Sequence, residues 1–368
     1  MAAFERDALA GKLPVTLITG FLGSGKTTLI ARLLRHPGMN RVAVVINEVG
    51  EIGIDHDLVT MSSENVSLLA NGCLCCTVRT DLQDTLRELF GQRRAGQIPD
   101  FDRVVIETTG LADPAPVIQT LASDTMLGAQ YRLDGVVTLV DAVNGAGQLR
   151  EQPEAAKQAA VADLIVVSKE DLATPGQVAA LVASLREINA HAAVRHSVMG
   201  EIEPAELVGL GLGSSRAGPG TLRFLGELEP AAAPAGAPGE GSGDGDGDGD
   251  GDGGAYLGGR LPNRHDPAIR TLSLRFDEPF DWRTFAAALD LLIGLRGTDL
   301  LRLKGIVNVE GEPVVVQGVQ HVMHPAVKLD RWPSDDRRSR LVFITRRIEE
   351  RTIRALFDAV GAVGATRV

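Results

Sequence analysis

Gly20-Phe21-Leu22-Gly23-Ser24-Gly25-Lys26-Thr27-Thr28 decides the fold of this 368-residue chain. The β-branched run Val15-Thr16-Leu17-Ile18-Thr19 precedes it, and Leu29-Ile30-Ala31-Arg32-Leu33-Leu34 follows with the apolar spacing of a helix. Strand, glycine loop and helix in that order are the context in which this pattern is a phosphate-binding P-loop. Gly20, Gly23 and Gly25, with Ser24, let backbone N–H groups converge on a β-phosphate, and the helix N-terminus adds its dipole. Lys26 supplies a cation for the β- and γ-phosphates, the Thr27 hydroxyl is the expected Mg²⁺ ligand, and Thr28 closes the binding stretch. A nucleoside-triphosphate site is expected.

On either side of this loop, residues 13 to 200 alternate strands and helices, the signature of a parallel sheet with helices on both faces. Val15–Thr19, Val42–Ile46, Val66–Leu69, Val104–Ile106, Val136–Val140 and Leu164–Val167 are short, nearly continuous apolar runs. Strands buried on both faces read this way. In such sheets the ligand sits beyond the carboxyl ends of the strands, and polar, chemically loaded residues follow nearly every run. Beyond residue 200, Pro, Ala and Gly accumulate, and 243–254 is an almost pure Gly-Asp alternation. Such a tract cannot bury apolar surface and is expected to be disordered. From Ile269 onward, Thr271–Phe276, Leu300–Val309, Val314–Gln320 and Arg340–Thr345 alternate like half-buried antiparallel strands. Phe285–Leu295 and Ile348–Val360 carry helical spacing. The expected fold class is therefore α/β: a P-loop NTPase domain over 13–205, a Gly/Asp/Pro-rich disordered insertion or linker over 206–268, and a small α+β domain over 269–368.

Composition narrows the function classes. Hydrophobic residues make up 44% of the chain, enough for real cores, and a net charge of −11 argues against nucleic acid as a partner. No run of eighteen apolar residues occurs, so no membrane span is expected. The acidic start Met1-Ala2-Ala3-Phe4-Glu5-Arg6-Asp7 lacks the apolar region of a signal peptide. A cytoplasmic location follows, and the three cysteines fit it, because all lie between positions 73 and 76 and cannot staple distant parts of a fold.

After the fourth apolar run comes Glu107-Thr108-Thr109-Gly110. P-loop GTPases need an acid here to hold the Mg²⁺ water shell and a glycine whose N–H reaches the γ-phosphate, and Glu107 and Gly110 are placed for those tasks. After the sixth run comes Ser168-Lys169-Glu170-Asp171. The Asp171 carboxylate can accept from both N1–H and the exocyclic amine of guanine, a pair that adenine does not offer, while the Lys169 stem packs along the base plane. This resembles the Asn-Lys-x-Asp base-reading loop of GTPases, with Ser168 in place of the asparagine.

Asn71-Gly72-Cys73-Leu74-Cys75-Cys76 is placed between the strand Val66–Leu69 and a helix expected from Val78 to Phe90. At a strand-to-helix turn the helix dipole would lower the thiol pKa values of Cys73, Cys75 and Cys76. Thiolates select zinc and other soft or borderline ions. With no fourth cysteine, two or three thiolates plus water or a neighbouring carboxylate or histidine leave an open site, suited to handing metal on. Asn47-Glu48-Val49-Gly50-Glu51 follows the second strand, where a switch loop belongs. Glu48 and Glu51 can ligate metal or orient water, and a carboxylate of this loop joining the thiolates would link γ-phosphate state to metal binding.

Taken together, GFLGSGKTT at 20–28, NEVGEIGID at 47–55, NGCLCC at 71–76, ETTGLADP at 107–114 and SKED at 168–171 resemble the CobW-type family of metal-trafficking P-loop GTPases. LLRLKGIVNVEGEP at 300–313 and VVVQGVQHVMHP at 314–325 continue the resemblance. It implies a GTP-dependent metallochaperone, zinc-associated in type, that holds metal at Cys73, Cys75 and Cys76, with Glu48 as a further ligand, and passes it to a client protein through the C-terminal domain. Cobalt, for cobalamin synthesis, is the alternative cargo. Where many members carry a histidine-rich tract, this chain has Gly-Asp repeats, read as linker. No arginine finger stands out beyond Arg79, so intrinsic hydrolysis is expected to be slow and accelerated by client or metal. Two rival classes remain: a small-molecule kinase and a nucleotide-gated metal store with negligible turnover. No histidine is assigned as a ligand.

Overall fold

The computed structural model describes residues 9–39, 41–47, 59–62, 66–69, 74–77, 82–225 and 269–365. The first part of the chain runs β1 (Leu13–Gly20), α1 (Lys26–Arg35), β2 (Val42–Asn47), β3 (Val59–Ser62), β4 (Val66–Leu69), β5 (Leu74–Thr77), α2 (Leu82–Arg94), β6 (Arg103–Thr108), α3 (Ala115–Ser123) and α4 (Thr125–Gln130). It continues through β7 (Tyr131–Asp141), α5 (Gly145–Glu151), α6 (Pro153–Val161), β8 (Leu164–Ser168), α7 (Pro175–Ile188) and β9 (Ala193–Ser197), then the short α8 (Pro204–Leu207) and α9 (Pro219–Phe224). The second part holds β10 (Ile269–Phe276), α10 (Trp282–Arg296), β11 (Leu300–Val309), β12 (Glu312–Val319), β13 (Val322–Met323), β14 (Val327–Lys328), β15 (Ser339–Arg346) and α11 (Glu350–Ala365).

The first sheet has strand order β3-β4-β5-β2-β6-β1-β7-β8-β9. Every pairing from β5 across to β9 is parallel. The continuous apolar runs are explained by burial on both faces: all five residues of β8 are buried, as are Val15, Leu17 and Ile18 of β1. One face packs α1 and α8 through Leu29, Ile30, Leu33, Leu34 and Leu207. The other packs α2 to α7 through Leu86, Ile118, Leu149, Ala159 and Leu181. This is the expected P-loop NTPase architecture.

The second sheet, of order β10-β15-β11-β12-β13 with β14 beside β12, is antiparallel. One of its faces is covered by α10 and α11 through Phe285, Leu289, Leu292, Ile353 and Phe357. From its other face Leu301, Val319 and Ile344 join the core formed by α2 to α7. The two sheets thus share one layer of helices. Among the described residues no helix is long and apolar enough to cross a membrane.

Three expectations are corrected. Val66–Leu69 forms β4 as expected, but β4 runs antiparallel to both of its neighbours. Cys75 and Cys76 are not in a strand-to-helix turn. They lie within β5, opposite Val44 and Val45 of β2, and α2 is described from Leu82 onward. The helix-dipole argument for these thiols therefore falls. A four-residue strand is too short to show a period, and thiols pack like small apolar groups. Finally, residues 206–225 are not disordered. Leu207, Leu210, Leu212 and Phe224, set among the glycines and prolines, are buried, and Leu212 and Phe224 pack with Ile306 and Val315 of the second sheet. Cys73, Glu48, Glu51, Arg79, the N-terminal start and the Gly-Asp tract lie outside the described residues.

Candidate nucleotide site

The P-loop joins the end of β1 to the start of α1. At Gly20, φ is +144°, and a Cβ there would stand 2.5 Å from Leu139 O and 2.7 Å from Ser24 Oγ, so only glycine fits. Gly25, directly before α1, is left-handed at φ +93°. Such a turn exposes successive N–H groups on one side, the geometry that cradles an anion. Lys26, the first residue of α1, is buried, and its Nζ donates to Gly20 O at 2.9 Å and Phe21 O at 3.4 Å. Ser24 Oγ is fully buried and without a hydrogen-bond partner among the described residues. An orphaned hydroxyl inside a glycine cradle fits a phosphate oxygen.

Glu107 stands near the end of β6, beside β1, in register with Ile18. It is 1% exposed, and Thr27 Oγ1 donates to its Oε1 at 3.4 Å. A hydroxyl and a carboxylate meeting at the P-loop form an all-oxygen donor set, the chemistry that Mg²⁺ requires. Next to it, Thr108 Oγ1 donates to Thr19 Oγ1 at 2.8 Å, tying β6 to β1. Gly110 touches the P-loop so closely that a Cβ would lie 2.9 Å from the Leu22 backbone N. Its carbonyl accepts from Gln158 Nε2 at 3.2 Å, and the same amide reaches Ala112 O at 3.0 Å. Fully buried Gln158 of α6 therefore holds the loop after β6 in shape.

At the next parallel strand end but one, the Ser168 hydroxyl donates to Ser24 O at 2.7 Å, so β8 is hydrogen-bonded to the P-loop itself. Lys169 adopts φ +57°, and its Nζ pairs with Asp141 Oδ2 at 2.8 Å. Asp141, at the end of β7, also caps the following turn by accepting from Val143 N and Asn144 N. Burial pushes its carboxyl up, but the Lys169 and Asn144 hydrogen bonds outweigh that and hold it below the usual carboxylate range. Asp171 is exposed, and Glu170 pairs with His196 Nδ1 at 3.0 Å.

The structure thus brings Gly20, Gly23, Ser24, Gly25, Lys26, Thr27, Glu107, Gly110 and Ser168 to one end of the sheet. Among the described residues no group of three or more His, Cys, Asp or Glu side chains converges as a metal site. Sequence reading missed Asp141 and Gln158. Asp141 carried a signal, since it closes an apolar strand as Glu107 does. Gln158 carried none, because nothing in an alanine-rich helix announces which polar residue faces inward.

Fold and site define a P-loop GTPase. Residues 14–196 match the CobW/HypB/UreG nucleotide-binding domain, and residues 269–361 match the C-terminal domain of the cobalamin synthesis protein cobW. The zinc chaperone YjiA of Escherichia coli is 34% identical over 348 residues, which cover 94% of this chain and 98% of that protein. The zinc-regulated GTPase metalloprotein activator 1 of Schizosaccharomyces pombe is 34% identical over 209 residues, 54% of this chain and 49% of that protein. The crystal structure of Zn(II)-bound YjiA GTPase superposes with a TM-score of 0.70 at 30% identity, over 95% of this chain and 99% of that one. The chain belongs to the CobW family.

Proposed function

We propose that this GTPase is a metallochaperone that binds zinc at Cys73, Cys75 and Cys76 and delivers it to a client metalloprotein as GTP is hydrolysed. The observation that carries this reading is the strand register. Thr77 of β5 is opposite Ile46 of β2, and Ile46 is opposite Glu107 of β6. The cysteine strand therefore ends level with the Mg²⁺ carboxylate, two strands away, about 10 Å across the sheet. A change at the γ-phosphate has a short, rigid route to the cargo thiols through β2. The zinc named for the relatives YjiA and activator 1 supports the choice of cargo, with cobalt as the alternative.

In this reading Thr27 and Glu107 hold Mg²⁺, which when bound neutralises charge on the phosphates. Lys26 donates to the β- and γ-phosphate oxygens, and the N–H groups from Gly23 to Thr28 surround the β-phosphate. The Gly110 N–H meets the γ-phosphate. Asp171 accepts from the guanine edge, and the Asp141–Lys169 pair fixes the loop that presents it. Glu48 joins the thiolates. The C-terminal domain over 269–368 meets the client. Gln320, in the turn after β12, donates to Asp113 Oδ2 at 2.8 Å, so that domain is fastened to the loop that starts at Gly110. The work is placed in the cytoplasm, where the thiols stay reduced.

The test is a competition titration of Zn²⁺ and Co²⁺ in GDP–Mg²⁺ and in a non-hydrolysable GTP analogue, with wild type beside a Cys73→Ser/Cys75→Ser/Cys76→Ser variant. Coupling of about 1–3 kcal/mol, roughly 5–150-fold in affinity, is expected in wild type and absent in the variant. Equal affinity in both nucleotide states overturns the gated mechanism.

A further inference from the structure

A cavity of about 240 Å³ lies where the two sheets meet, on the side away from the P-loop. The first part of the chain supplies Asp163, Arg186 and Arg195, and the second supplies Arg302, Lys304 and Arg340. Five of these six are cationic, in a chain whose net charge is −11. Clustering cations at a partly buried surface is costly unless anions compensate them.

The compensation among the described residues is incomplete. Asp163 is saturated: its carboxylate accepts from Val136 N at 2.8 Å, from Arg302 Nη2 at 2.9 Å, and from Lys304 Nζ. Two cations thus share one acid. Burial pushes that acid up, yet the charges of Arg302 and Lys304 more than reverse it. Arg302 is 3% exposed, and its Nε and Nη1 have no hydrogen-bond partner among the described residues. Arg195 pairs with Glu206, and Arg340 with Asp336 at 3.4 Å. Arg186 donates only to the carbonyls of Ala190 and Ala192 among the described residues. The wall retains an excess of positive charge with donors to spare.

We infer that this interdomain cavity is a second ligand site, separate from the nucleotide site, which binds a small oxyanion of the phosphate or carboxylate class. Guanidinium groups match such oxygens bidentately, and Arg302 and Arg340 from the second sheet converge with Arg186 from α7. Because both parts of the chain contribute, an anion bound there ties them together. The chemistry has two sources, a diffusible anion or the chain's own carboxylates. The chain lines the cavity at Leu225 and β10 starts at Ile269, and the stretch between them carries Asp244, Asp246, Asp248, Asp250 and Asp252.

The experiment is calorimetric titration of inorganic phosphate, and separately citrate, into the full chain saturated with GDP–Mg²⁺ so that the P-loop is filled. Saturable binding is expected, retained in Lys26→Ala, weakened at least tenfold by Arg302→Gln and abolished by Ala190→Glu. Ala190 is an exposed cavity residue, where a new carboxylate neutralises the wall without disturbing the core, so it keeps the test valid should Arg302→Gln fail to fold. GDP affinity is unchanged in both cavity variants. Replacing the five aspartates by asparagine distinguishes the sources: tighter phosphate binding identifies the chain's own carboxylates as competitor, and unchanged binding assigns the site to a diffusible anion. No saturable binding, binding lost only with Lys26→Ala, or equal binding in wild type and both cavity variants overturns the inference.

Discussion

Asp171 stands exposed on the loop after β8, while its neighbours are fastened: Ser168 to the P-loop and Lys169 to Asp141. This division suits a reader of bases, in which a rigid loop presents one solvent-facing carboxylate. Asp171→Asn exchanges an acceptor for an amide donor, which no longer pairs with N1–H and the exocyclic amine of guanine but suits the 2-oxo group of xanthine. GTP affinity is expected to fall roughly 10–100-fold with partial recovery for XTP, measured by nucleotide competition. Unchanged GTP preference would remove Asp171 from the site. Ser168, in the place of the asparagine, donates its hydroxyl to Ser24 O at 2.7 Å and so ties this loop to the P-loop.

Among the elements, the strand ends β1, β6 and β8 are hydrogen-bonded to one another through Thr19, Thr108, Ser24 and Ser168, so the site is built on the sheet rather than on free loops. The loop after β6 is pressed against the P-loop at Gly110, where an added Cβ would meet the Leu22 side chain at 2.6 Å and its backbone N at 2.9 Å. Gly110→Ala therefore has to push the two loops apart. The expected outcome is GDP affinity within a few-fold of wild type with GTP hydrolysis reduced at least ~10-fold, since displacement of a reacting group by about 1 Å costs up to 10²-fold. Wild-type turnover in this variant would show that the loop does not meet the γ-phosphate. The apolar runs and the P-loop pattern made these elements legible in the sequence. The cysteine segment was not legible: thiols fit equally in a turn or a strand, and only pairing with β2 and β4 distinguishes them.

For the whole molecule, the junction between the sheets is polar as well as apolar. Besides the Asp113–Gln320 and Asp163–Arg302 contacts it holds His191, whose Nε2 is 3.1 Å from Ser273 Oγ. His324, beside Arg302, has its pKa lowered to about 4, first by burial and then by the Arg302 charge, which Asp163 offsets only in part. The sign is that of a histidine held neutral. The unfolded chain takes up the proton near pH 6.5, the folded chain only near 4, so stability present above 6.5 drains away as pH falls through that window. The loss amounts to at most about 3 kcal/mol. Denaturant unfolding at pH 7 and pH 4.5 checks it: His324→Gln should lose less stability on acidification than wild type, and an equal loss in both would exclude His324 as the source.

What the sequence determined by itself was whatever depends on neighbours in the chain. The P-loop needs nine consecutive residues between a strand and a helix, buried parallel strands announce themselves as unbroken apolar runs, and Glu107 and Asp171 were placed by the strands they follow. The tertiary structure alone decided which groups distant in sequence complete the site. Gln158 reaches Gly110, Asp141 holds Lys169, and Gln320 reaches Asp113 across 207 positions. It also ordered α8 and α9, by burying Leu207 with α1 against the first sheet and Phe224 against the second. Periodicity records only whether a residue faces a core. Which partner it meets there is set by sheet order and helix packing, and those are properties of the assembled chain.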